Sequence, residues 1–217
     1  MTNERIEEIL IRAALSGLLV TTKEIKGIYI YGSRLFETTN DNSDLDYCIV
    51  VEDNPEYKEY WQVETQELDL HIVQVSEYQR LLNECDDMAL SMYFQREPIM
   101  KCDVQFNLDL PILRKSISTK ANNSFIKFKK KLIIEEDYDV RASIKSLFHS
   151  IRLLDFGKEI ADSENFFAYN QSSLGENIEW IEQVFEETNN NWEEIHKVFK
   201  PIYNEYATDF KKVAPKA

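Results

Sequence analysis

The sequence has no long hydrophobic run, few cysteines, and no repeated or low-complexity segment. No apolar stretch approaches the roughly 20 residues that a membrane-spanning helix needs. The residues from Met1 to Arg5 lack the basic and apolar regions of a signal peptide. The three cysteines are widely spaced, which fits reduced thiols and gives no metal-ligand spacing. We therefore expect a cytoplasmic protein with no membrane partner.

The composition favours a folded globular chain of one domain or two small lobes. Its 217 residues are 43% apolar and 12% aromatic, which is enough to build a core. The formal net charge of −14 opposes contact with a nucleic-acid backbone unless a local basic patch overrides it. One such run exists: residues 114–131 hold seven basic residues and no acidic one. That run is either a solvated helix face or a surface that contacts phosphate or nucleic acid.

Hydrophobic periodicity places strands first and helices afterwards, which predicts an α+β fold. Strands are expected to start at Gly27, Asp44 and Glu67, and Ser76 to begin a helix with Gln79 as its capping-box partner. Further helices are expected near residues 4–18, 77–94 (as one or two helices), 111–118, 122–135, 140–161, 175–187 and 191–211. Pro201 should kink or split the last one. We expect a small mixed sheet with flanking helices in residues 1–108 and an all-helical domain in residues 109–217.

The most informative stretch runs from Gly27 to Val51. An alternating apolar run stops at Gly32-Ser33, a polar loop follows, and a second run starts with Asp44-Leu45-Asp46. Residues two apart on a strand point to the same side, so Asp44 and Asp46 should share one face. Two adjacent carboxylates repel each other unless a cation neutralises them. Glycine followed by a small hydroxyl residue exposes backbone N–H groups that suit a phosphate.

This pattern resembles the nucleotidyltransferase superfamily typified by DNA polymerase β. That family has a strand ending in Gly-Ser, then Asp-x-Asp on the next strand, then a third acid on a later strand. Asp69, between Leu68 and Leu70, matches the third acid. The resemblance covers roughly residues 28–75. The loop after Gly-Ser lacks a further glycine that many members carry.

The resemblance implies transfer of a nucleoside monophosphate from a nucleoside triphosphate, such as ATP, onto an acceptor hydroxyl with release of pyrophosphate. Asp44, Asp46 and Asp69 would be the catalytic and metal-binding residues for two Mg²⁺ ions, with Mn²⁺ as an alternative. Asp69 would also be the general base. Gly32 and Ser33 would hold the β- and γ-phosphates, with Arg34 as a further phosphate contact.

A second set of candidate nucleotide-binding residues lies on the predicted helix at 140–161. Arg141, Lys145, His149 and Arg152 recur at steps of four, four and three, so they form one stripe. The stripe either packs beside the core or faces a cleft and holds the triphosphate. His71 lies on the same side of its strand as Asp69, where it either lines the cleft or hydrogen-bonds a neighbouring carboxylate.

The acceptor and two other function classes stay open. The acidic balance favours a small molecule, such as an aminoglycoside-like compound, or a protein side chain over nucleic acid. A non-catalytic module that binds a protein partner, as antitoxin-type members do, would keep the fold without the chemistry. A metal-dependent phosphodiesterase could use the same acids. Only transfer from a triphosphate releases pyrophosphate, which separates the last class from the first.

Overall fold

The computed structural model describes residues 23–36, 44–64, 68–163 and 177–216. The chain divides into two compact units, residues 1–107 and residues 108–217. Two predictions fall outside the described residues: the helix near residues 4–18 and the loop near residues 163–173. Of the predicted loop only residue 163 is described, and it ends a helix.

In the described residues of the first unit, four strands form one sheet. They are β1 (Ile25–Ile30), β2 (Leu45–Val51), β3 (Tyr60–Glu64) and β4 (Leu68–Gln74). Their order across the sheet is β1-β2-β4-β3, with β2 and β4 parallel and the other two pairs antiparallel. The sheet is therefore mixed, as expected, but it contains one strand more than the three that were predicted.

One face of the sheet is largely apolar. Side chains of β1, β2 and β4 on this face form a buried cluster that comprises Ile25, Ile28, Tyr47, Ile49, Val51, Leu68, Leu70 and Ile72. Trp61 and Val63 of β3 pack against the same cluster. Because neighbouring residues of a strand point to opposite faces, the residues between them fall on the other face. That second face carries Asp46, Asp69, Gln62 and His71.

A buried glutamine fixes the connection that leads from β2 into the edge strand β3. Gln74 Nε2 donates to the backbone oxygens of Asn54, Tyr57 and Lys58, at 3.1, 3.1 and 3.0 Å. Its Oε1 accepts from the backbone N–H of Asn54 at 2.8 Å. One side chain thus satisfies four backbone groups of a loop and sets the position from which β3 starts.

The first unit also contains a short helical turn, α1 (Gly32–Leu35), and two helices, α2 (Val75–Asn83) and α3 (Asp87–Tyr93). The predicted capping box at Ser76 is wrong, because α2 starts at Val75 and its N-cap makes no side-chain hydrogen bond. Gln79 instead bonds Asn83 and the backbone of Gln105.

The second unit is helical in its described residues. Its helices are α4 (Leu110–Ile133), α5 (Val140–Ser163), α6 (Asn177–Glu187) and α7 (Trp192–Val213), with a 3-10 turn at Glu135–Asp137. A fold with a mixed sheet followed by helices confirms the predicted α+β class. No helix in the described ranges is long and apolar enough to cross a membrane.

One predicted helix break in the second unit is wrong, and Pro201 does not split the helix that contains it. The helices expected at 111–118 and 122–135 are one helix, α4, because Ala121 lies in its buried stripe between Ile117 and Phe125. α7 contains Pro201 without being split. Ile195 and Phe199 before Pro201 and Tyr203 after it are buried, so packing on both sides of the proline stabilises one continuous helix.

Candidate active site

The polar end of the sheet is built by strand register. β2 and β4 run parallel, and Asp46 is the register partner of Asp69. Register partners on adjacent strands point to the same face, so the two carboxyl-bearing residues lie side by side. Two carboxylates from different strands thus share one surface of the first unit.

Gly32 lies directly under the Asp46 carboxylate. A Cβ atom placed on Gly32 would lie 1.8 Å from Asp46 Oδ2, and the φ angle of Gly32 is +61°. The residue before Gly32 also contacts Asp46, since Tyr31 N–H donates to the Asp46 carbonyl oxygen at 2.9 Å. Position 32 therefore needs glycine for its left-handed backbone and for the close approach of a carboxylate.

Ser33 and Arg34 follow Gly32 in α1. Ser33 Oγ is buried and makes no hydrogen bond with any residue that the structure describes. A buried hydroxyl without a partner is costly unless a ligand or water completes its hydrogen bonding. The side chain of Arg34 is exposed. The Gly-Ser pair therefore combines an unsatisfied hydroxyl with the glycine that the Asp46 carboxylate approaches.

Asp69 is held from the edge strand. Gln62 Nε2 of β3 lies 2.7 Å from Asp69 Oδ1 and 3.0 Å from Asp69 Oδ2. His71 Nε2 is 3.5 Å from Oδ2, and the ring is fixed on its other side by a 2.7 Å contact between Nδ1 and the Tyr60 hydroxyl. His71 therefore approaches the Asp69 carboxylate, while its short contact is to the Tyr60 hydroxyl.

Asp44 lies immediately before β2 and is exposed. Within the described ranges, no three His, Cys, Asp or Glu side chains converge closely enough to form a ready-made metal cluster. The metal-binding role of Asp44, Asp46 and Asp69 therefore stays a prediction, with Asp46 and Asp69 already set side by side by the register.

The Cys48 thiol lies near the carboxylates of this surface, and they affect its pKa. Cys48 is fully buried on β2, and burial raises the pKa of its thiol well above the ordinary value. The carboxylates of Asp46, Asp69 and Asp86 raise this pKa further. Asp86 caps α3 by accepting from Met88 N–H and Ala89 N–H. The thiol is therefore held in its neutral form, beside a region rich in negative charge.

Sequence reasoning missed the side chains that organise this surface. Gln62 and Tyr60 lie on β3, the strand that was not predicted. Gln95 was also missed, although its amide accepts from Ile30 N–H at 3.1 Å and donates to Ile30 O at 2.8 Å, which fixes the end of β1. The alternation of Tyr60-Trp61-Gln62-Val63-Glu64 was the signal that could have revealed β3.

The remaining candidates lie on α5 in the second unit. Lys145 is exposed, whereas Arg152 is buried with 8% of its surface exposed. Arg152 Nη2 donates to His149 Nδ1 at 2.7 Å, which places the proton of a neutral imidazole on Nε2. Two of the four members of the predicted stripe are thus joined to each other, and the other two, Arg141 and Lys145, are exposed.

The basic run at residues 114–131 has partly structural roles. Arg114 donates to the backbone oxygens of Lys211 and Ala214 at the end of α7, at 3.3 and 3.1 Å. Lys131 pairs with Asp137, and Lys129 Nζ lies 5.5 Å from the ring centre of Trp192. These contacts favour packing as the role of these three residues over a shared nucleic-acid surface.

Comparisons with known proteins agree with the pattern at the sheet. The family model described as polymerase β, nucleotidyltransferase, matches residues 14–139, more than half of the chain. No curated protein matches the sequence.

The similar solved structures include the following two. The spectinomycin adenyltransferase AAD(9) from Enterococcus faecialis, solved with ATP and spectinomycin, is 13% identical with a TM-score of 0.44, over 97% of this chain and 100% of that one. A nucleotidyltransferase-like protein from Exiguobacterium sibiricum is 12% identical with a TM-score of 0.30, over 94% and 72%. Because both TM-scores are low, the assignment rests on the family match, which also confirms the resemblance seen in the sequence: the chain belongs to the polymerase β nucleotidyltransferase family.

Proposed function

We propose that this protein is a metal-dependent nucleotidyltransferase that moves a nucleoside monophosphate from a triphosphate to an acceptor hydroxyl. The observation that carries the proposal is the Gly32–Asp46–Asp69 arrangement, in which one carboxylate covers the glycine of Gly-Ser and a second is its register partner. The family membership of the chain supports the reaction class.

The residues fit divalent cations such as Mg²⁺ by their donor chemistry. Asp44, Asp46 and Asp69 offer carboxylate oxygens, which hard cations prefer, and two of the three are already side by side. Two bound Mg²⁺ or Mn²⁺ ions would stabilise the charge that develops on the attacking and leaving oxygens. The excess of acids in the first unit is consistent with cationic ligands of this kind.

The phosphate groups of the substrate are assigned to α1. Ser33 Oγ lacks a partner in the described residues, and a β- or γ-phosphate oxygen would satisfy it. The backbone at Gly32 is free of a side chain, so a phosphate can approach it closely. Arg34 is exposed and would add a positive charge near the triphosphate. Lys145 is exposed and is proposed as a further nucleotide contact, whereas Arg152 and His149 bond each other.

Asp69 is the proposed general base. It would take the proton from the acceptor hydroxyl while that oxygen bonds to the α-phosphorus and pyrophosphate leaves with the electrons of the broken P–O bond. A small molecule or a protein side chain is the favoured acceptor, because a strongly acidic chain repels nucleic acid.

Calorimetry with the four ribonucleoside triphosphates and Mg²⁺ tests the proposal. Wild type should bind one or more of them in a metal-dependent manner, and the Asp44→Ala/Asp46→Ala double variant should not. The matched control is Glu56→Ala/Glu59→Ala, which removes two exposed acids of the same unit. Absence of triphosphate binding by folded wild type would overturn the proposal and favour a partner-binding module. Turnover of a phosphodiester without pyrophosphate release would favour a phosphodiesterase.

A further inference from the structure

In the part of the chain that the structure describes, the Asp69 side chain takes its hydrogen bonds from one residue of the edge strand. Gln62 faces His71 in the β3–β4 register and Glu64 faces Asp69, so Gln62 lies diagonally across from Asp69 on the same face. Diagonal neighbours are within reach of long side chains. Gln62 Nε2 contacts both oxygens of Asp69, at 2.7 and 3.0 Å.

Among the described residues, no other group makes a comparable contact to this carboxylate. The remaining nearby nitrogen is His71 Nε2, at 3.5 Å from Oδ2. The Asp69 side chain is 18% exposed, so it is largely withdrawn from water. A carboxylate in that position needs donors, and the Gln62 amide supplies them without adding charge.

We propose that Gln62 is a positioning residue that fixes the Asp69 carboxylate for the divalent cation and the acceptor. The inference rests on the proposed function, in which Asp69 is a metal ligand and general base. A carboxylate has about four lone-pair sites, so Gln62 can hold Oδ1 through the shorter contact while Oδ2 binds a cation.

The start of β3 is anchored independently of the site. Gln74 donates to three backbone carbonyls of the loop that precedes β3, so the position at which the edge strand begins is fixed. Groups that orient a metal ligand commonly change metal affinity by about 10- to 100-fold when they are removed. The Gln62 amide is expected to act in this range.

The test is binding of Mn²⁺, measured as free Mn²⁺ by electron paramagnetic resonance, in the presence of the triphosphate that binds best by calorimetry. Gln62→Leu should weaken Mn²⁺ binding about tenfold. The matched control is Gln183→Leu, since Gln183 Nε2 donates to Glu187 Oε1 at 2.7 Å on an exposed face of α6. The control loses an amide–carboxylate hydrogen bond of the same kind and should bind Mn²⁺ like wild type.

A double variant separates positioning from a general effect on folding. In an Asp69→Ala background, Gln62→Leu should leave the residual Mn²⁺ affinity unchanged, because the group it orients is gone. Unchanged or tighter Mn²⁺ binding by the single variant Gln62→Leu, in protein with a wild-type melting temperature, would overturn the inference while leaving the proposed function standing. Failure of wild type to bind Mn²⁺ with triphosphate would instead overturn both.

Discussion

The two units of the chain differ in where they keep their charge and what their polar side chains do. Residues 1–107 contain 9 Lys and Arg against 21 Asp and Glu, whereas residues 108–217 contain 16 against 18. The first unit therefore carries most of the excess negative charge. Its acids include all three proposed metal ligands, so the imbalance falls in the unit that holds the proposed metal site.

The polar groups of the first unit are arranged around carboxylates, and those of the second largely support helices. Asp46 covers Gly32, and Asp69 is held by Gln62. In the second unit, by contrast, Arg152 is buried against His149, and Arg114 caps the end of α7. The difference shows that basic residues at helical spacing can serve packing within the unit as readily as they can bind a ligand.

The largest expected effect comes from Gly32→Ala. The new Cβ would occupy the position of the Asp46 carboxylate, and a φ of +61° costs an alanine about 1–2 kcal/mol. We expect nucleotide affinity to fall by roughly a hundredfold, or about 2.7 kcal/mol, by calorimetry. Wild-type nucleotide affinity in this variant would show that nucleotide binding does not depend on the observed position of the Asp46 carboxylate.

Gly157→Ala is the corresponding change in the second unit. Its Cβ would lie 2.9 Å from both Ile117 Cγ2 and Phe210 Cε2, so it overpacks the contact between α5 and its neighbours. We expect about 1–3 kcal/mol lower unfolding free energy in urea. Nucleotide affinity of the folded protein should stay at the wild-type value. A loss of affinity as large as that of Gly32→Ala would remove the distinction between the two units.

Lys145→Ala tests whether the second unit contributes to nucleotide binding. Lys145 is exposed, so its removal should leave the melting temperature unchanged. Loss of a phosphate contact of this kind should weaken triphosphate binding about fivefold, or ~1 kcal/mol. Lys127→Ala removes an exposed lysine of α4 and serves as the control. Equal weakening in both variants would point to net charge alone.

The smallest expected effect is a pH dependence from α5. Burial and the Asp155 carboxylate raise the pKa of Glu159 from 4.5 to about 7, while Lys158 lowers it. Because the folded state holds this proton more tightly than the unfolded state, the stability of the fold should fall as pH rises from about 4.5 to 7 and then level off.

Glu159→Gln should remove that dependence. Allowing for partial exposure, the variant should be about 1 kcal/mol more stable than wild type at pH 8 and equal to it at pH 4, by urea unfolding. Glu179→Gln, at an exposed position of α6, is the control and should give the wild-type profile. Parallel pH profiles for wild type and Glu159→Gln would contradict the assignment.

Local patterns predicted much of this protein. The fold class followed from the hydrophobic periodicity, with strands preceding helices. The family followed from the resemblance of Gly32-Ser33, Asp44-Leu45-Asp46 and Asp69 to the nucleotidyltransferase pattern, which the family match confirms. The errors lie where local signals are weak. β3 was missed since an edge strand with one exposed face reads as a polar aromatic segment, and the break predicted after Ser118 was wrong since the buried stripe of α4 continues through Ala121.

The sequence by itself placed Gly-Ser and the three acids in the order that the family shares, and only the tertiary structure decided how these residues are paired. The β2–β4 register makes Asp46 and Asp69 neighbours, and β3 brings Gln62 to Asp69. Both are contacts between strands, whose register depends on the burial of an entire sheet face. For the same reason the contact of Asp46 with Gly32 was not predictable from either residue's local sequence.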